Sequence, residues 1–198
     1  MSNTPPNDRF FTVLEPYYER LVRFVRMTTA NREDAEDIVS DTVLQGYQHF
    51  HQLRDEQAFL SWLFSIASRL EKKRRVKAFI FTPLDALRHD REEQHYTRPD
   101  VSVDVQLLHR ALQQLPTKQR EAYTMFEITG LTLQEIHAIQ GDSLSSVKMR
   151  ISRAREKIHA LLTEKLKRDE EAPQATIYRL ISKEISQEDI INSASKHQ

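Results

Sequence analysis

The side chains best suited to recognition in this chain are Ser145, Ser146, Lys148, Met149, Arg150, Ser152 and Arg153. On a helix turning about 100° per residue, Ser145, Ser146, Met149, Ser152 and Arg153 share one arc, and Lys148 and Arg150 flank it. Small polar residues followed by cations suit close approach to a phosphate-lined major groove. Serine makes adaptable hydrogen bonds there, arginine pairs bidentately with guanine or phosphate, and a methionine can touch a thymine methyl. The opposite arc, Val147, Ile151, Ala154 and Ile158, is apolar at helical spacing and is expected to face inward.

The elements that must position this face precede it. Leu133, Ile136 and Ile139 form the inner stripe of a shorter helix, Gly141 permits the break, and Ser143 or Ser145 can cap the second helix. Together they read as a helix-turn-helix. Residues 143–168 hold eight Lys or Arg against two Glu, whereas the whole chain is balanced at 29 basic and 29 acidic residues. Net charge therefore carries no information about nucleic acid, but its distribution does. Taken alone, the segment also fits a helix pair with a solvated basic face.

Composition narrows the remaining choices. The 198 residues suffice for one domain or two small ones. No apolar run approaches the ~18 residues of a membrane span, and MSNTPPNDRF lacks the form of a signal peptide, so a cytoplasmic location is expected. The absence of cysteine excludes disulfides, thiolate nucleophiles and cysteine-ligated zinc. Three glycines leave no phosphate-cradling loop. His49, His51, His89 and His95 have no HExxH or nucleophile-elbow context, so neither catalysis, a metal nor a cofactor is expected. Abundant Leu, Gln, Glu, Arg and Ala predict an all-α protein.

Along the chain, residues 1–8 read as a loose tail. Phe11, Leu14, Tyr18, Leu21, Val22 and Val25 mark a first helix, with Pro16 either kinking it or opening it. Asn31 is placed to cap a second helix whose inner face is Ala35, Ile38, Val39, Thr42, Val43 and Tyr47. A third runs from about Glu56 to Leu70 and leads into EKKRRVK at 71–77. Residues 76–104 read as a linker with one short helix near 83–95 and an apolar Phe79-Ile80-Phe81 cluster. Val105 to Leu115 and Lys118 to Ile128 form two more helices before the helix-turn-helix. Residues 169–198 form a tail of net charge −3 in which Ile177, Leu180, Ile181 and Ile185 keep amphipathic spacing. The fold class is thus two small helical domains, 10–75 and 105–168, joined by a flexible linker, the second containing the helix-turn-helix.

In both halves the chain resembles a bacterial RNA polymerase sigma factor of the small extracytoplasmic-function type. DAEDIVSDTVLQGYQHF (34–50) and WLFSIA (62–67) are similar to that family's region two. LPTKQRE (115–121), GLTLQEIHA (130–138) and SVKMRISRAR (146–155) are similar to its region four. The resemblance implies a non-catalytic subunit of core RNA polymerase that directs initiation from promoter DNA, and an anti-sigma partner. It assigns polymerase binding to the acidic helix with Asp34, Glu36, Asp37 and Asp41. It assigns the −10 element to Trp62, Arg69, Lys72, Lys73, Arg74 and Arg75, and the −35 element to the helix-turn-helix residues named above. Where the family commonly has Arg-Asn after WLFSIA, this chain has Ser68-Arg69. A guanidinium only donates, which suits guanine or a phosphate rather than the contacts of an amide. The alternatives are a helix-turn-helix regulator that binds DNA without being a polymerase subunit, and a non-transcriptional helical adaptor.

Overall fold

A computed structural model describes residues 6–81 and 103–168, with side-chain surroundings for 9–77 and 105–164. All described regular structure is helical. The helices are α1 (Pro6–Thr28), α2 (Arg32–His49), α3 (Phe59–Phe81), α4 (Val103–Gln113), α5 (Thr117–Tyr123), α6 (Leu133–Gln140) and α7 (Leu144–Arg168). Short 3-10 turns at Phe50–Gln52 and Glu56–Ala58 join α2 to α3, and a π-turn at Thr124–Ile128 extends α5.

Several boundaries differ from the sequence expectation. Helix α1 begins at Pro6, inside the expected tail, because proline at a first helical turn lacks only an amide that would be unpaired anyway. Pro16 lies within the same helix. Helix α3 does not stop near Leu70 but carries the basic run onward to Phe81. The short helix expected near 83–95 and the tail at 169–198 lie outside the described residues.

The helix starts follow from side-chain chemistry. Asn31 Oδ1 accepts from the Asp34 amide at 2.8 Å, and Asn31 Nδ2 donates to Asp34 Oδ2 at 2.8 Å, so the expected cap of α2 is present. Helices α1, α2 and α3 pack around Phe10, Leu14, Leu21, Phe24, Ile38, Phe59, Leu63 and Phe64. Gly46 allows the three to approach: a Cβ there would lie 3.2 Å from the Phe10 ring and 3.4 Å from Leu63.

The second half packs Leu112, Leu115, Tyr123, Ala154 and Ile158 into one cluster, with Met27 of α1 against it. Ala122, Met125, Leu131, Ile136, Val147 and Ile151 instead continue the apolar cluster of α1–α3. The two helical domains are therefore closed on each other rather than separate. Their seam is also polar. Arg20 Nε donates to the Thr129 carbonyl at 2.8 Å and its Nη2 to Gly130 at 3.1 Å, while Arg23 reaches the Ile128 carbonyl at 3.5 Å. His109 Nε2 meets the Thr29 carbonyl at 2.9 Å, and Gln113 Nε2 donates to the Met27 carbonyl at 3.2 Å.

Candidate nucleic-acid interface

The helix-turn-helix is built from three local devices. Thr132 and Glu135 form a reciprocal capping box at the start of α6: the Glu135 amide donates to Thr132 Oγ1 at 3.2 Å, and the Thr132 amide donates to Glu135 Oε2 at 2.6 Å. Gly141 ends α6 in the left-handed region at φ 71°, where glycine has no Cβ penalty. Ser143, rather than Ser145, accepts from the Ser146 amide at 3.2 Å and caps α7. The signal for this box is the Thr-x-x-Glu spacing of Thr132 and Glu135 in the sequence.

The expected inner faces are observed. Val147, Ile151, Ala154 and Ile158 are all buried, as is Ile136. Leu133 and Ile139 are half-buried against the core. The opposite face of α7 is open: Ser145, Ser146, Lys148, Met149, Ser152 and Arg153 are exposed, Met149 by 53%. Apolar packing thus turns donors and cations outward along one side of a helix that is fixed at its start.

Arg150 occupies a different position. Its guanidinium lies 2.7 Å from Asp142 Oδ2 and donates to Gln140 Oε1 at 2.8 Å, with its side chain only 19% exposed. Lys118 Nζ reaches the same Asp142 oxygen at 2.8 Å. These two cations, first Arg150 and then Lys118, hold the Asp142 carboxyl at about 2, well below the ordinary carboxylate range. Arg150 therefore braces the turn that orients the recognition helix. Behind that helix Arg155 pairs with Glu127 and lies 5.8 Å from the Phe126 ring centroid, tying α7 to the π-turn.

In the first half the residues assigned to DNA and to polymerase meet. Arg74 Nη1 lies 2.7 Å from Asp34 Oδ1, and Nη2 lies 2.7 Å from Asp37 Oδ2. The Asp37 hydrogen bond raises the Arg74 pKa further. Glu36 pairs with Arg32 at 2.6 Å, and Asp41 is exposed on the same helix. Lys72, Lys73 and Arg69 are exposed, Arg69 Nε donating to the Ser65 carbonyl at 3.2 Å. Trp62 is half-buried, its ring 5.9 Å from Phe59. Arg75 turns away from this surface to Glu71, at 3.3 Å, and to the Thr117 hydroxyl across the seam.

Residues 13–80 match the family model for Sigma-70 region 2, and residues 105–158 match Sigma-70 region 4. This chain belongs to the sigma-70 family of RNA polymerase sigma factors, in its extracytoplasmic-function group. It is 29% identical over 158 residues to the extracytoplasmic-function sigma factor SigM of Mycobacterium tuberculosis, covering 77% of this chain and 76% of that one. It is 27% identical over 164 residues to the sigma-E factor of Escherichia coli, covering 77% and 86%. The fold is similar to the sigma factor RpoE of Bartonella quintana in complex with the anti-sigma factor NepR, with a TM-score of 0.67, 25% identity and coverage of 79% and 98%. It is also similar to CnrH in complex with the cytosolic domain of CnrY, with a TM-score of 0.59, 25% identity and coverage of 80% and 90%.

Among the described residues no group of three or more His, Asp or Glu is placed to hold a metal, and no helix is long and apolar enough to cross a membrane. Sequence reasoning missed the seam residues Arg20, Arg23, Glu71, His109 and Arg120. Each is polar and reads as surface until its partner, far away in the chain, is known.

Proposed function

We propose that this chain is the subunit that brings core RNA polymerase to its promoters and starts transcription there. The observation that carries this reading is the outward face of α7. Ser145, Ser146, Lys148, Met149, Ser152 and Arg153 stand exposed on a capped, braced helix in the half of the chain that matches region 4. In this reading they contact the −35 element, the cations gripping phosphate and Arg153 reaching a base edge. Arg69, Lys72 and Lys73 hold the −10 segment through its phosphates, and the half-buried Trp62 supports the helix that presents them. Asp34, Glu36, Asp37 and Asp41 give α2 a negative surface for polymerase. One similar solved structure contains the anti-sigma factor NepR and another the cytosolic domain of CnrY, and an anti-sigma partner that masks these surfaces is part of the same reading.

The test separates a polymerase subunit from a free-standing regulator. Binding to a mapped promoter fragment is measured with and without core polymerase. Tight, sequence-dependent binding only in its presence is expected. Equal sequence-dependent binding by the chain alone would favour the regulator.

A further inference from the structure

The outward arc of α7 has one member that charge and hydrogen bonding do not explain. Met149 is 53% exposed, on the side opposite the buried stripe of Val147, Ile151, Ala154 and Ile158. With about 100° per residue, Ser145 and Ser152 fall to one side of it and Ser146 and Arg153 to the other, each within about 60°. Met149 is thus at the crest of the helix, the position that goes deepest when this arc enters a groove.

Its polar neighbours are already engaged. Ser143 Oγ, the cap of the helix, lies 3.0 Å from Ser145 Oγ and 2.9 Å from Ser146 Oγ. Ser152 Oγ donates to Glu156 Oε1 at 3.1 Å. Arg150 is held by Asp142 and Gln140. Lys148, a flexible point charge, suits phosphate. Met149 and Arg153 are left to face base edges.

Chemistry then limits what Met149 reads. Its thioether donates no hydrogen bond and accepts only weakly. On the floor of the major groove the bases present donors and acceptors, and the one methyl group is that of thymine. A thioether laid on that methyl removes apolar surface from water on both sides. Laid on an amine or a carbonyl, it would strip a polar group of water and return nothing. An apolar protein partner fits less well. Leu144, the other exposed large apolar residue described in α7, lies about 140° round the helix. Met149 therefore stands singly among serines and cations, not within an apolar patch.

We propose that Met149 is a specificity-determining residue that reads the C5 methyl of one thymine in the −35 element. The inference rests on the promoter-reading function proposed above and names what its recognition helix selects. The feature read is the methyl, not the hydrogen-bonding pattern of thymine. 5-Methylcytosine, which carries a methyl at the same ring position, therefore satisfies Met149, whereas cytosine and uracil do not.

The test uses the full chain with core polymerase on a mapped promoter. Each −35 thymine, on either strand, is replaced in turn by 2′-deoxyuridine, which lacks only the methyl. One replacement is expected to weaken wild-type binding roughly fourfold, the worth of one buried methyl group. Met149→Ala binds the thymine and uracil promoters equally. Met149→Leu, which keeps an apolar side chain there, restores the preference, and Arg153→Ala binds more weakly but retains it. At the same base pair, wild type binds 5-methylcytosine about fourfold better than cytosine, and Met149→Ala binds the two equally. Because Met149 is exposed, helix content and melting are unchanged in its variants. A −35 element in which no thymine replacement weakens wild-type binding overturns the proposal. So does a uracil penalty that persists in full in Met149→Ala. Reduced core-polymerase affinity in Met149→Ala with the thymine preference intact overturns it in favour of a protein contact. Failure of wild-type holoenzyme to start transcription at any specific site overturns instead the function on which the inference rests.

Discussion

Arg150 and Arg153 are three residues apart on one helix, yet only Arg153 faces outward. Arg153→Ala is expected to weaken −35 binding. A lost bidentate base contact removes ~1–3 kcal/mol and relaxes preference at one base pair. A lost phosphate contact weakens all sequences alike and lowers the salt slope by about one. Quantitative binding to a promoter and its single-base variants distinguishes the two. Arg150 acts through Asp142, whose carboxyl lies at about 2 against an ordinary value of 3.8. A depressed folded-state pKa stabilises the fold above 3.8, and that contribution is lost as pH falls through about 2. Thermal melts across this window should show the loss in wild type, and Arg150→Ala and Asp142→Asn should each abolish it. An acid profile identical to wild type in both variants would remove the brace. The distinction between these arginines was not legible in the sequence, because both sit near the polar arc and only the fold brings Asp142 and Gln140 to one of them.

The helices themselves were largely legible. The 3.6-residue apolar period in α2 and α7 marks the buried faces observed, and Asn31 and Gly141 act where their chemistry suggests; in α1 the expected stripe is only partly buried, since Phe11 and Tyr18 are exposed while Phe10 and Phe24 join Leu14, Leu21 and Val25 in the core. The seam was not, since Arg20 meets a carbonyl 109 residues away and no local period encodes such a pair. Two element-level changes test the packing. Gly46→Ala gains up to ~1 kcal/mol in helix propensity. It also sets a Cβ 3.2 Å from the Phe10 ring, which is itself held against Phe50 and Phe59. Overpacking of ~1–3 kcal/mol outweighs the gain, so denaturant melts should show net destabilisation. Burial, with Glu71 next, raises the Glu121 carboxyl from 4.5 to about 7. Its contribution to stability is therefore full below 4.5 and lost as pH rises through about 7. Glu121→Gln should flatten this dependence and leave the chain more stable than wild type at pH 8, by on the order of 1–3 kcal/mol. A variant that keeps the wild-type slope would show that Glu121 does not titrate in this window.

Across the whole molecule, the acidic start of α2 and the basic run of α3 are joined through Arg74, so the surfaces proposed to meet polymerase and DNA share a support. Asp41→Lys is expected to reduce association with core polymerase while leaving the fold intact. Asp37→Lys should do the same and also loosen α2 from α3 by breaking the Arg74 pair. Calorimetry with core polymerase, paired with melts of the free variants, separates the two effects, and wild-type affinity in both variants would take these residues out of the interface. The resemblance in both halves led from sequence to family because its motifs fall on helices with clear apolar faces. How those halves sit together came only from the fold. If this chain selects where polymerase starts, transcript ends reveal it. Core polymerase is reconstituted with the full chain on fragmented genomic DNA, and transcript 5′ ends are mapped. Discrete starts that share two upstream sequence elements and vanish when the chain is omitted are expected. Starts that are scattered, or the same without it, would contradict promoter selection by this chain.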